Sequence, residues 1–140
     1  MKTPRRRSRE VAFQYLYHQG AQPVSMGPSL IEELHSYYDH FEVPEELRSF
    51  ASELIVGSLQ NLEAIDSKIT TLAKNWRIDR IAEVDRCLLR LSLYEIDYLD
   101  DIPTSVTMDE AIEIAKQFGT AESPSFINGI LDAASKERNS

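Results

Sequence analysis

Thr107-Met108-Asp109-Glu110-Ala111-Ile112-Glu113-Ile114-Ala115-Lys116-Gln117-Phe118-Gly119 carries the clearest helix grammar in the chain. Thr107 and Glu110 stand at the spacing of a capping box, in which hydroxyl and carboxylate each bond the other's backbone amide. Val106 and Ala111 are placed for a hydrophobic staple, Ile114, Ala115 and Phe118 continue one apolar face, and Gly119 suits a left-handed stop. A helix is therefore expected to open at Thr107 and close before Gly119.

The same reasoning extends in both directions. Downstream, Ser123 as cap and Pro124 in the first turn open a last helix with Phe126, Ile127, Ile130, Leu131 and Ala134 inward. Gly129 inside it costs about 1 kcal/mol against alanine, so a close backbone approach is expected there. Upstream, a fifth helix from about Asp79 carries Ile81, Val84, Leu88, Leu91 and Leu99. It ends at Asp100, Asp101 and Pro103, because proline lacks an amide hydrogen and disfavours a helical residue before it. A fourth carries Ile65, Ile69, Leu72 and Ala73 and stops near Trp76. A third opens at Pro44 with Glu45 and Glu46 at the positive end of its dipole, continues through Leu47, Phe50, Leu54, Ile55 and Leu59, and breaks near Asn61 or Leu62. A second repeats Leu30, Leu34, Tyr37, Tyr38 and Phe41 on one side. The first runs from Thr3 or Ser8 to Gln19, with Val11, Ala12, Tyr15 and Leu16 as its stripe and Gly20 as its end. Apolar residues return every three or four positions with little strict alternation, so the fold class is all-α: a compact bundle of six or seven helices, read as a single domain over residues 1–140.

The 140 residues suffice for a core without a metal or disulfide staple. The single Cys87 falls in a helical pattern and reads as a small core residue, which suits a reducing, cytoplasmic setting. No stretch approaches the ~20 apolar residues of a membrane-spanning helix, and no secretory signal opens the chain. Chemistry-bearing constellations are missing: no glycine-rich phosphate loop, no paired cysteines, no metal motif. His18, His35 and His40 are scattered, and the five-residue step between the last two does not align them on one helical face. No catalytic residue, metal or cofactor is expected, and the chain is read as not an enzyme.

The formal charge of −8 hides a sharp asymmetry. Residues 1–10 hold five cations, Lys2, Arg5, Arg6, Arg7 and Arg9, against Glu10, a local +4 that leaves −12 for the other 130 residues. A basic arm on an acidic body attracts a polyanion locally while the body repels it elsewhere. Arg5, Arg6, Arg7 and Arg9 can contact phosphates, and Tyr15 or Tyr17 can offer a stacking face further along the same helix, a combination suited to single-stranded RNA. A solubilising tail and core tyrosines are the plain alternatives. Arg80, Arg86 and Arg90 are spaced at six and four; Arg86 and Arg90 can pair with Glu83, Asp97 or other surface acids as easily as with RNA, and the salt-bridge reading is favoured.

Two segments are specific. Arg5-Arg6-Arg7-Ser8-Arg9-Glu10, followed by Gln14, Leu16 and Tyr17, resembles the opening of the NusB family of bacterial antitermination factors. Arg80-Ile81-Ala82-Glu83-Val84-Asp85-Arg86, Leu89-Arg90-Leu91, Leu93-Tyr94-Glu95, Ile102-Pro103, Val106, the run from Glu110 to Lys116, Phe118-Gly119, Ser123 and the run from Phe126 to Asp132 resemble the same family in the same order. Met108 and Asp109 depart from its usual isoleucine and asparagine.

The resemblance implies an all-helical fold of two small packed subdomains that binds the boxA element of leader RNA together with NusE, the small-subunit ribosomal protein. The implied outcome is an RNA polymerase antitermination complex that is processive on ribosomal RNA operons. It places Lys2, Arg5, Arg6, Arg7, Tyr17, Glu122 and Phe126 on the RNA surface and turns Asp85 toward NusE. A related domain also precedes the catalytic half of some ribosomal RNA cytosine methyltransferases, for which 140 residues leave no room. The competing reading is a helical protein-interaction module or homodimer with little RNA affinity.

Overall fold

Thr3 starts the first helix as a capping residue should: its hydroxyl accepts the Arg6 amide at 3.1 Å, and Pro4 occupies the first turn, where a missing amide hydrogen costs nothing. In the computed structural model, which describes residues 2–138, helix α1 (Pro4–Gln19) ends at Gly20, whose φ of 56° suits glycine. Helices α2 (Pro28–His40) and α3 (Glu45–Gln60) complete a first compact unit ending at Gln60. Helix α1 lies chiefly along α3, and α2 also packs on α3.

The core of this unit gathers Ala12, Phe13, Leu16, Leu30, Leu34, Tyr38, Leu47, Ala51, Leu54 and Ile55, all buried. Full burial of each large member contributes about 1.5–3 kcal/mol before the entropy of ordering it. Buried Ser8 donates to the Leu47 carbonyl at 3.0 Å, joining the second turn of α1 to the start of α3. Arg48 clasps the α2–α3 turn, donating through Nε to the Val43 carbonyl at 2.9 Å and through Nη1 to Asp39 at 2.9 Å. Phe41, expected on the inward face of the second helix, is exposed, because α2 ends at His40 and the chain leaves that face.

The second unit, from Asn61 onward, holds α4 (Leu62–Leu72), a 3-10 turn (Ile78–Arg80), α5 (Glu83–Tyr98), α6 (Thr104–Phe118) and α7 (Ser123–Arg138). Helices α5, α6 and α7 pack on one another, and α4 packs on α5 and α7. Ile65, Ile69, Leu88, Leu89, Leu93, Ile96, Ala115, Ile127 and Leu131 form its core. Arg90 grips Asp66 through Nε at 2.8 Å and Nη2 at 2.9 Å, tying α5 to α4, and Lys68 reaches Asp97 at 2.8 Å. The described residues thus hold seven α-helices and no strand. None of these helices is long and apolar enough to cross a membrane.

Several expected boundaries move. Helix α4 stops at Leu72, ahead of Trp76, and α5 opens at Glu83 instead of Asp79, since Ile81 and Ala82 are extended, with ψ of 134° and 143°. Helix α6 opens at Thr104, with Pro103 as its capping position. Thr107 is therefore already inside the helix and buried, and its hydroxyl donates to the buried Glu95 carboxylate at 3.1 Å. The burial of Glu95 claims the hydroxyl that the capping box needed, and Val106 is left exposed.

Gly119 is not left-handed; its φ is −97°, and glycine is needed because a Cβ there would lie 2.5 Å from Ser123 Oγ and 2.9 Å from the Ala115 carbonyl. Gly129 shows no close approach, as a Cβ would meet open space. Ser123 begins α7, and its hydroxyl accepts the Thr120 amide behind it at 3.0 Å instead of capping the turn ahead.

Candidate nucleic-acid interface

The basic segment is not a tail. Pro4 to Arg9 form the opening turns of α1, so their side chains are set at about 100° and 1.5 Å per residue. Arg5 and Arg7 are exposed and Arg6 is half-buried. The Arg5 guanidinium lies 4.0 Å from the centre of the Phe50 ring on α3, and the Arg9 guanidinium lies 5.3 Å from the same ring. Arg9 is buried, which removes it from the phosphate-contacting set. Lys2 is ion-paired with Glu10 at 2.5 Å yet stays partly exposed.

Of the two tyrosines considered as stacking faces, Tyr15 is excluded. It is buried, its hydroxyl donates to Glu33 at 3.3 Å, and burial, with Glu33 adding to it, pushes its pKa up to about 12. Tyr17 is 50% exposed, with its ring 6.1 Å from that of Phe13. Arg6 and Tyr17 lie three turns apart, within about 20° of the same helix face. The first unit thus brings Arg5, Arg6, Arg7 and Tyr17 onto one element. A cleft of about 780 Å³ between α1 and α2 is lined by Tyr37, His18, His40 and Phe41, but also by Glu32 and Glu33, whose carboxylates repel phosphate.

In the second unit, Glu122 is exposed immediately before α7, and Phe126 is half-buried on its first turn, edge-to-face with Trp76 at 6.0 Å and 73°. Asp85 lies in the first turn of α5, where the helix dipole favours a carboxylate, and is 8% exposed. Its buried Oδ1 has no hydrogen-bond partner among the described residues. Arg86 pairs with Glu83 and Arg90 with Asp66, as the salt-bridge reading expected in kind, although Asp97 goes to Lys68. Cys87 is a core residue, and burial, with Glu83 adding to it, pushes its thiol up to about 12.

Two residues escaped the sequence reading. From sequence Phe50 reads only as core, and no local signal marks it as a bed for arginines on another helix. From sequence Trp76 reads only as the place where a helix stops, although the cations Lys74 and Arg77 lie within two residues of it.

The architecture defines a class: a small all-helical protein of two compact units, with exposed cations fixed in its opening turns. The NusB family model matches residues 6–136, and the chain belongs to the NusB family. It is 46% identical over 132 residues to the transcription antitermination protein NusB of Geotalea daltonii, covering 91% of each chain. It is 40% identical over 139 residues to that of Thermodesulfovibrio yellowstonii, covering 95% of this chain and 92% of that one. Among solved structures, T. maritima NusB superposes with a TM-score of 0.79 at 37% identity over 98% of this chain and 94% of that one. A chain in the crystal structure of antitermination factors NusB and NusE in complex with dsRNA has the same fold, with a TM-score of 0.80 at 24% identity over 98% and 99% of the two chains.

Proposed function

We propose that this chain is a transcription antitermination factor that binds boxA leader RNA together with NusE and so makes RNA polymerase processive on ribosomal RNA operons. It acts in the cytoplasm as a single functional domain, by binding and not by catalysis. Lys2, Arg5, Arg6, Arg7 and Tyr17 supply the RNA surface of the first unit, Glu122 and Phe126 that of the second, and Asp85 faces NusE. The observation that carries this reading is the helical, Thr3-capped setting of Arg5, Arg6 and Arg7, which holds three guanidinium groups in fixed register where an acidic chain otherwise repels RNA. The names of the relatives and the NusB–NusE–RNA composition of a structural neighbour support it. The test is titration of a boxA oligonucleotide and a scrambled one, with and without NusE. The expected result is tighter boxA binding when NusE is present; equal, negligible affinity for both oligonucleotides at low salt in both conditions overturns the reading.

A further inference from the structure

We propose that Trp76, braced by Phe126, is a stacking platform for one unpaired nucleobase on the second unit, an inference that rests on the RNA-binding reading above. Trp76 is the sole tryptophan of the chain and is 54% exposed. An indole this open forfeits most of its burial energy unless something covers it. Its placement is nevertheless fixed: the Trp76 amide donates to the Ala73 carbonyl at 2.9 Å, and the ring meets Phe126 edge-to-face. Phe126 is itself anchored, its amide donating to the Glu122 carbonyl at 3.0 Å.

The surroundings decide what covers it. Between residues 74 and 80, Lys74, Arg77 and Arg80 are exposed, and the one acid, Asp79, pairs with Arg77 at 3.0 Å. A flat π-face amid Lys74, Arg77 and Arg80 matches a base with its flanking phosphates. Glu122, one turn before Phe126, is an acceptor available to an exocyclic amino group of a base.

The sole tryptophan makes the test direct. Single-stranded boxA RNA is titrated into the full chain with NusE present, following anisotropy of a labelled oligonucleotide for binding and, with the unlabelled oligonucleotide, tryptophan emission, with a tryptophan-free NusE. Quenching with the same midpoint as the anisotropy is expected, lost when one nucleotide is made abasic. Trp76→Ala should weaken binding at least about fivefold, since base–aromatic stacking contributes about 1–3 kcal/mol, and Trp76→Phe should recover most of it, with helicity unchanged in both. Binding with unchanged emission and an unaffected Trp76→Ala affinity overturns the platform and leaves the RNA reading standing. An emission change caused by NusE alone, to which RNA adds nothing, assigns the indole to a protein contact and overturns it too. Absence of any RNA binding at low salt overturns both readings.

Discussion

The Arg5 guanidinium on α1 rests 4.0 Å from the centre of the Phe50 ring on α3. The ring orients the cation without neutralising it, so the charge stays available to phosphate. Phe50→Leu should keep the helix content seen by circular dichroism and weaken boxA binding about two- to fivefold, the equivalent of a lost cation–π contact of roughly 0.5–1 kcal/mol. Unchanged affinity would mean that the orientation of Arg5 does not matter.

Replacing Arg6 and Arg7 by alanine should leave helicity intact and reduce the salt dependence of RNA binding. With about three phosphates contacted, the slope of log affinity against log salt is near −2 for a single strand, and each arginine removed should flatten it by about 0.7. A slope that stays put would place the contacts elsewhere.

Thr107 and Glu95 form a buried pair in the second unit. Thr107→Val keeps the shape but withdraws a donor from a buried carboxylate and should cost about 1–3 kcal/mol in urea unfolding, whereas Thr107→Ser should recover most of it.

The two late glycines should respond oppositely to alanine. Gly129→Ala enters open space within α7 and should stabilise by about 1 kcal/mol. Gly119→Ala places a methyl group against Ser123 Oγ and the Ala115 carbonyl and should destabilise by roughly 1–3 kcal/mol. Thermal melts of the pair check both signs.

Alkaline pH should unfold the protein through groups whose folded pKa lies above the unfolded one. Tyr15 is raised from 10.0 to about 12, and Cys87 from 9.0 to about 12. In each case the folded state holds the proton more tightly, so this stability is complete below the unfolded pKa and is lost as pH climbs from about 9 toward 12. Urea midpoints measured between pH 8 and 11 should fall with rising pH. Cys87 should also resist thiol reagents at pH 8 in the folded protein and react once unfolded.

Helical period and the proline and glycine punctuation made the all-helical class and most of the core legible, because both act within a few residues of chain. What failed was long-range. The capping box at Thr107 is sound local grammar, defeated by a buried carboxylate twelve residues upstream on α5. Gly119 and Gly129 exchanged roles, since whether a Cβ fits depends on neighbours that spacing does not reveal. Arg9 looked equivalent to Arg5 and Arg7 in sequence, and only the fold shows it buried beside Phe50. Trp76 beside Phe126, fifty residues apart in the chain, could not be paired by any local pattern.

The hydrogen bond from Ser8 to the Leu47 carbonyl, with the Thr3 cap, gives the basic segment the character of a rigid comb. Ordering a loose arm on a ligand costs about 1–2 kcal/mol per residue, and a comb already set avoids that penalty at the moment of encounter. The same rigidity makes spacing unforgiving: one residue inserted between Arg7 and Ser8 would swing every tooth by about 100° around the helix and face the guanidinium groups the wrong way while leaving composition and charge unchanged.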